Sequence, residues 1–220
     1  MEGRPFKNPR SVFVVWSAVL ALVLLTGGAA NVALARYVQH MRENDPRTYL
    51  QEAQQRLNRD DLAGALEQVE QALQIAPGKP DGYRIRGLVH FRMKHWQEAF
   101  DCFQQAIQRG DLIEDTRLKS MSALMNMKRY EEALALGKRC IGESYPHWSW
   151  HWYMATTYRA LGKYAEAIPY YENALKGHPN DLYVMDQLAQ AYRITGNAEK
   201  AEAMERRIAE AQASQERLTP

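Results

Sequence analysis

Cysteine is scarce in this chain: Cys102 and Cys140 are the only two among 220 residues. They form no CxxC pair, which excludes a Cys-rich zinc module and a thioredoxin-like redox motif. A disulfide needs an oxidising compartment, and two buried thiols are the expected state. Net charge is scarce too, with 28 Lys and Arg against 26 Asp and Glu. Arg4, Lys7 and Arg10 against Glu2 supply the whole excess, so residues 11–220 are neutral overall. A neutral body has no general attraction for phosphate backbones, and nucleic acid is not an expected partner. Chemistry-bearing motifs are also missing: there is no GxSxG, no Walker loop and no GxGxxG. His147 and His151 stand four apart in His-Trp-Ser-Trp-His, without the third ligand and the acid that a zinc site of the HExxH kind needs. No catalytic residue, cofactor or metal is expected.

What the chain does have is, first, a long uncharged run. Residues 12–35 carry no charge, and Arg10 and Arg36 bound them. A helix of about 20 apolar residues crosses the bilayer core, so the run is long enough for a span. Val12 to Leu25 would also serve as the apolar region of a cleavable signal, with Ala33-Leu34-Ala35 as the cleavage site. Val32 and Leu34 extend the apolar character to span length, which favours a permanent anchor. Three Lys or Arg precede the run, and Arg36, Arg42 and Arg47 follow it, so the positive-inside count is nearly a tie. The short tail and the signal-like layout favour an inside N-terminus. Residues 36–220 are then periplasmic or otherwise extracytoplasmic.

Second, the chain is periodic. Ala65, Ala99, Ala133, Ala167 and Ala201 are each 34 residues apart. Ala72, Ala106, Cys140, Ala174 and Ile208 keep that step, as do Ala53, Gly87, Met121, Ala155 and Ala189. A mostly aromatic column follows it too: Leu62, Trp96, Tyr130, Tyr164 and Ala198. Columns in register at this period signal a stack of helix pairs. Small residues sit where paired helices approach closely. Pro77-Gly78-Lys79-Pro80, Gly110-Asp111, Tyr145-Pro146 and His178-Pro179-Asn180 separate the units, while Gly162 and Gly196 mark turns within them. Pro169 falls inside a predicted helix and is expected to bend it.

These columns resemble the tetratricopeptide-repeat (TPR) family over about residues 46–213. The fourth unit matches best, with Ala155, Tyr158, Gly162, Tyr164, Ala167, Tyr171, Ala174 and Pro179. The third departs, with Met121 for the small residue and Gly137 for a bulky one. The fifth has Ala198 and Glu205 where others are large, as suits a terminal unit. The expected fold is all-α: a TPR α-solenoid behind one N-terminal transmembrane helix. Its parts are a basic tail at 1–11, the span at 12–35, a linker at 36–45, about five TPR units with a C-terminal capping helix at 46–213, and a tail at 214–220.

The resemblance implies a right-handed superhelix whose first helices line a concave groove. Leu50, Arg84, Leu118, Trp152 and Asp186 match one groove row. Gln54, Leu88, Ser122, Thr156 and Gln190 match a second, and Leu57, Phe91, Met125, Arg159 and Arg193 a third. The early units would offer an apolar strip, and the later ones Trp152 between Arg159 and Arg193. That composition suits an apolar segment carrying an acidic or C-terminal carboxylate group. The Lys and Asn clamp with which some family members grip chaperone C-termini is not reproduced. The expected function is a membrane-tethered scaffold that binds a protein or peptide client, as an envelope assembly factor. The rival expectation is an accessory structural subunit of a membrane complex, with the span as part of the interface.

Overall fold

The computed structural model describes residues 28–142 and 147–216. The basic tail, residues 12–27 of the expected span and the Tyr145-Pro146 turn lie outside the described residues. Among the described residues no helix is long and apolar enough to cross a membrane. All described regular structure is helical. A leading helix α1 (Gly28–Glu43) is followed by five helix pairs. These are α2 (Pro46–Asn58) with α3 (Leu62–Ile75), α4 (Pro80–Arg92) with α5 (Trp96–Gln108), α6 (Glu114–Asn126) with α7 (Tyr130–Gly142), α8 (Trp148–Ala160) with α9 (Tyr164–Gly177), and α10 (Leu182–Ile194) with α11 (Ala198–Glu216).

Residues 36–43, expected as linker, are helical and continuous with residue 28 onward. The stretch past Gly28 is free of Gly and Pro and holds good helix formers, so nothing stops it before Asn44. Asp45 then caps α2 by accepting from the Arg47 amide at 2.9 Å, and Pro46 takes the first helical position. The C-terminal helix likewise runs to Glu216, past the expected boundary at 213. Pro169 is exposed inside α9, and the helix runs through it to Gly177.

Every unit turns in the same way. Asp60, Lys94, Lys128, Gly162 and Gly196 all have positive φ, between 61° and 81°, and all keep the 34-residue step. After each, an amide reaches back five residues: Asp61 to Arg56, His95 to His90, Arg129 to Leu124, Lys163 to Tyr158 and Asn197 to Tyr192, at 2.8–2.9 Å. This is the Schellman closure, which satisfies carbonyls left open at a helix end. Only two of the five positions are glycine, which is why sequence marked only those two. A non-glycine residue in this conformation costs about 1–2 kcal/mol. Glycine gives back roughly 0.5–1 kcal/mol in unfolded-chain entropy. Lys128→Gly is therefore expected to raise stability by about 0.5 kcal/mol in urea unfolding. Asp60→Gly should gain nothing, because Asp60 also pairs with Arg92 at 2.8 Å.

The units stack by size complementarity. Two columns meet inside the first four pairs: Ala53 with Val69, Gly87 with Phe103, Met121 with Gly137, and Ala155 with Tyr171. A Cβ at Gly87 would lie 2.5 Å from the Phe103 ring. A Cβ at Gly137 would meet Met154 and, at 3.2 Å, the Met121 methyl. Unit three is therefore no defect in the pattern. Its large and small partners have changed places, and Met154 from the next unit fills what remains. Trp150 is fully buried in the same seam. Cys102 and Cys140 are buried thiols with no disulfide between them.

Each helix packs on the next, and the first helices also meet one another, α2 with α4, α4 with α6 and α6 with α8. Second helices pack on one another less than this among the described residues. The layer of first helices is thus the inner, concave side of the stack.

Candidate functional site

The concave layer places the expected groove residues on α2, α4, α6, α8 and α10. Leu50, Leu88, Leu118, Met125 and Trp152 are half-buried, each resting one side on a core cluster. They keep the other side open and form a discontinuous apolar strip along the layer. Leu57 does not belong to it. At 4% exposure it is packed with Ala65 and Val89 in the first core, so it holds units one and two together. At α2 the row meets Val89 of the next first helix, and Leu57 is enclosed there.

Phe91 is half-buried, but its ring is already engaged. It packs edge-on to Trp96 at 5.1 Å, and the Lys119 ammonium lies 5.7 Å from its centroid. The expected basic positions are also partly spent. Arg84 pairs with Asp81 at 3.2 Å and lies 3.9 Å from Asp111. Asp111 is itself buried, accepting from the Thr116 hydroxyl at 2.6 Å and the Ile113 amide at 2.9 Å. That arrangement fixes the turn between units two and three. Arg193 is exposed but pairs with Glu205 of α11 at 2.7 Å. The unusual Glu205 in the bulky column is therefore the partner of a groove arginine. Asp186 is exposed and accepts from both Gln187 and Gln190. Trp152 thus does not stand between two open guanidinium groups: Arg193 is neutralised, and Arg159 remains.

His147 and His151 take separate structural places. His147 caps α8 through a contact from the Ser149 amide at 3.4 Å. His151 lies against Tyr170, and burial, helped by Lys176, holds its imidazole below the usual range. Among the described residues no group of three His, Cys, Asp or Glu side chains converges.

Sequence reasoning missed Tyr171 as anything but core. Tyr171 is fully buried, and its hydroxyl faces Thr156 and Arg159 on the groove side. Burial pushes its phenol up, and those two neighbours oppose the rise. The signal was a hydroxyl in a column that Val69 and Phe103 fill without one.

The family model of the tetratricopeptide repeat matches residues 147–214. No curated protein matches the chain. Solved structures do. The crystal structure of MamA protein superposes with a TM-score of 0.72 at 14% identity, over 80% of this chain and 96% of that one. MamA 41-end from Desulfovibrio magneticus RS-1 gives 0.71 at 15% identity, over 77% and 96%. YrrB, described as a TPR protein with an unusual peptide-binding site, gives 0.67 at 19% identity, over 82% and 93%. At such identities the likeness is one of fold. Units four and five carry the tetratricopeptide repeat in their sequence, and the helix pairs from α2 to α11 form an all-helical tetratricopeptide-repeat solenoid.

Proposed function

We propose that this protein is a membrane-tethered, non-enzymatic scaffold whose concave face holds a segment of a client protein. The observation that carries the reading is the half-open strip of Leu50, Leu88, Leu118, Met125 and Trp152 along the layer of first helices. Apolar side chains left half-open along one face mark interaction sites. A solenoid is also suited to display, since each unit buries its core against neighbours and leaves an extended face. YrrB, of the same fold, is described as peptide-binding, which favours this use of the face. The tether is the uncharged run at 12–35, and α1 would carry the solenoid away from it on the extracytoplasmic side. Assembly of a partner complex in the envelope is the role such an architecture fits.

The test is a crosslinking pull-down from native membranes, with the intact chain and with Trp152→Ala, partners being identified by mass spectrometry. A partner captured by the intact chain and lost with Trp152→Ala is the expected result. Identical partners with both proteins would move the main contact away from the groove. The chain would then read as a structural subunit held through its span.

A further inference from the structure

Helix α1 stands apart from the core of the stack. Its contacts with the solenoid are few and fall mainly on α2, the next helix in the chain. Leu34 and Val38 are half-buried, yet neither belongs to a core cluster of the five units. Asn31 and Ala35 share their face. The hollow along that face is lined, among the described residues, by α1 side chains alone. Arg36 and His40 lie on the opposite face and are exposed.

The residues of the first face keep one step. Val38 follows Leu34 by four positions and Leu34 follows Asn31 by three, and Met41 takes the next place in the sequence. This is the a/d step of a helix seam, with Asn31 and Val38 at a and Leu34 at d. A β-branched residue at a with leucine at d favours two strands. Ala35, beside the seam, lets a second helix come close. Asn31 is the one amide side chain in the uncharged run at 12–35. An amide both donates and accepts, so it can pair with its own copy, and at an a position it fixes the register. In an apolar setting such interhelical bonds hold helices together.

A parallel, in-register seam needs both helices to enter it from the same end. Two copies tethered through residues 12–35 in one membrane meet that condition, and a client segment held in the groove does not. We propose that α1 pairs with α1 of a second copy of this chain through Asn31, Leu34 and Val38, so that the scaffold is a parallel dimer at its base. The pairing goes beyond the client reading and rests on its tether. It uses no residue of the concave face, so a client that carries two copies of its segment would be held by both grooves.

The test places single cysteines in the full chain, in native membranes, and oxidises them. Leu34→Cys and Val38→Cys probe the seam, and Arg36→Cys and His40→Cys probe the outer face. The unaltered chain is the control, since Cys102 and Cys140 are buried. Dimer yield at 34 and 38 should exceed that at 36 and 40 by about tenfold or more, because a disulfide bridges only Cα atoms within about 7 Å. Asn31→Ala in the Leu34→Cys chain should lower the yield several-fold, and Val38→Asp should abolish it, both with the urea unfolding of the solenoid unchanged. Equal yields at all four positions, no dimer at any, or linkage of Leu34→Cys to a different protein would overturn the pairing. Alkaline carbonate extraction of the same membranes separates the two readings. A chain that stays in the membrane without the 34 and 38 crosslinks keeps the tether and loses the dimer. A chain that washes off removes the tether and, with it, the ground for a parallel pair.

Discussion

Gly87→Met should destabilise the second unit by about 3 kcal/mol, yet lose much of that effect when Phe103 is changed to glycine in the same chain. Glycine at 87 lets α4 close on α5, where Phe103 is 0% exposed. Even one added carbon would stand 2.5 Å from Cε1 and 2.6 Å from Cδ1 of that ring. A rigid ring in a filled core cannot rotate away, so the helices must separate. Phe103→Gly alone should cost about 4 kcal/mol, through the cavity and the helical glycine together. The double variant copies unit three, where Met121 lies over Gly137. It should be more stable than Phe103→Gly alone. Recovery will be incomplete, because Met154 of the following unit also fills the space at Gly137, and its counterpart beside unit two is Ser120 of unit three. Urea unfolding of the four members of the cycle decides the matter. Additive losses would mean that the exchange of large and small partners does not organise the pairing.

The same exchange explains what sequence could and could not convey. The 34-residue columns exposed the helix pairs, their small positions and the terminal character of unit five, because these depend on local periodicity and residue size. Met121 and Gly137 looked like two departures, since each column was read separately, and compensation is visible only where the columns meet. Likewise Lys94 and Lys128 gave no turn signal. The left-handed turn is imposed by closure of the pair, and lysine tolerates it at a cost. Leu57 matched a groove row by spacing, but it packs with Ala65 and with Val89 of the next unit and is core there. Arg193 was legible as a cation. Its neutralisation depends on Glu205 in another helix, which no spacing rule links to it. Tyr171 was legible as bulk, while its hydroxyl meets Thr156 and Arg159 of the other helix, which reading one column cannot show.

Deletion of residues 198–220 should unfold α10, weaken unit four and leave units one to three intact. α11 contributes Ala201, Met204 and the half-buried Ile208 to the core that holds Val184, Met185, Leu188 and Tyr192. Without it those α10 side chains face water, at about 1.5–3 kcal/mol for each large one. A 13-residue helix has too little intrinsic stability to stand that loss. α10 would keep its packing on α9 and the Tyr192 hydroxyl donating to the Glu172 carboxylate, and these cannot replace the lost apolar face. Beyond α9 the effect should fade, because in a solenoid each unit contacts only its neighbours. Hydrogen exchange on the truncated chain is the measurement. Amides of α10 should lose protection fully, those of α8 and α9 partly, and those of α2 to α7 not at all. Client capture should fall with α10, since Trp152 packs against the core that α10 supplies. Uniform loss of protection from α2 onward would instead show that the five units unfold as one, and that a client held at unit four is felt along the whole stack.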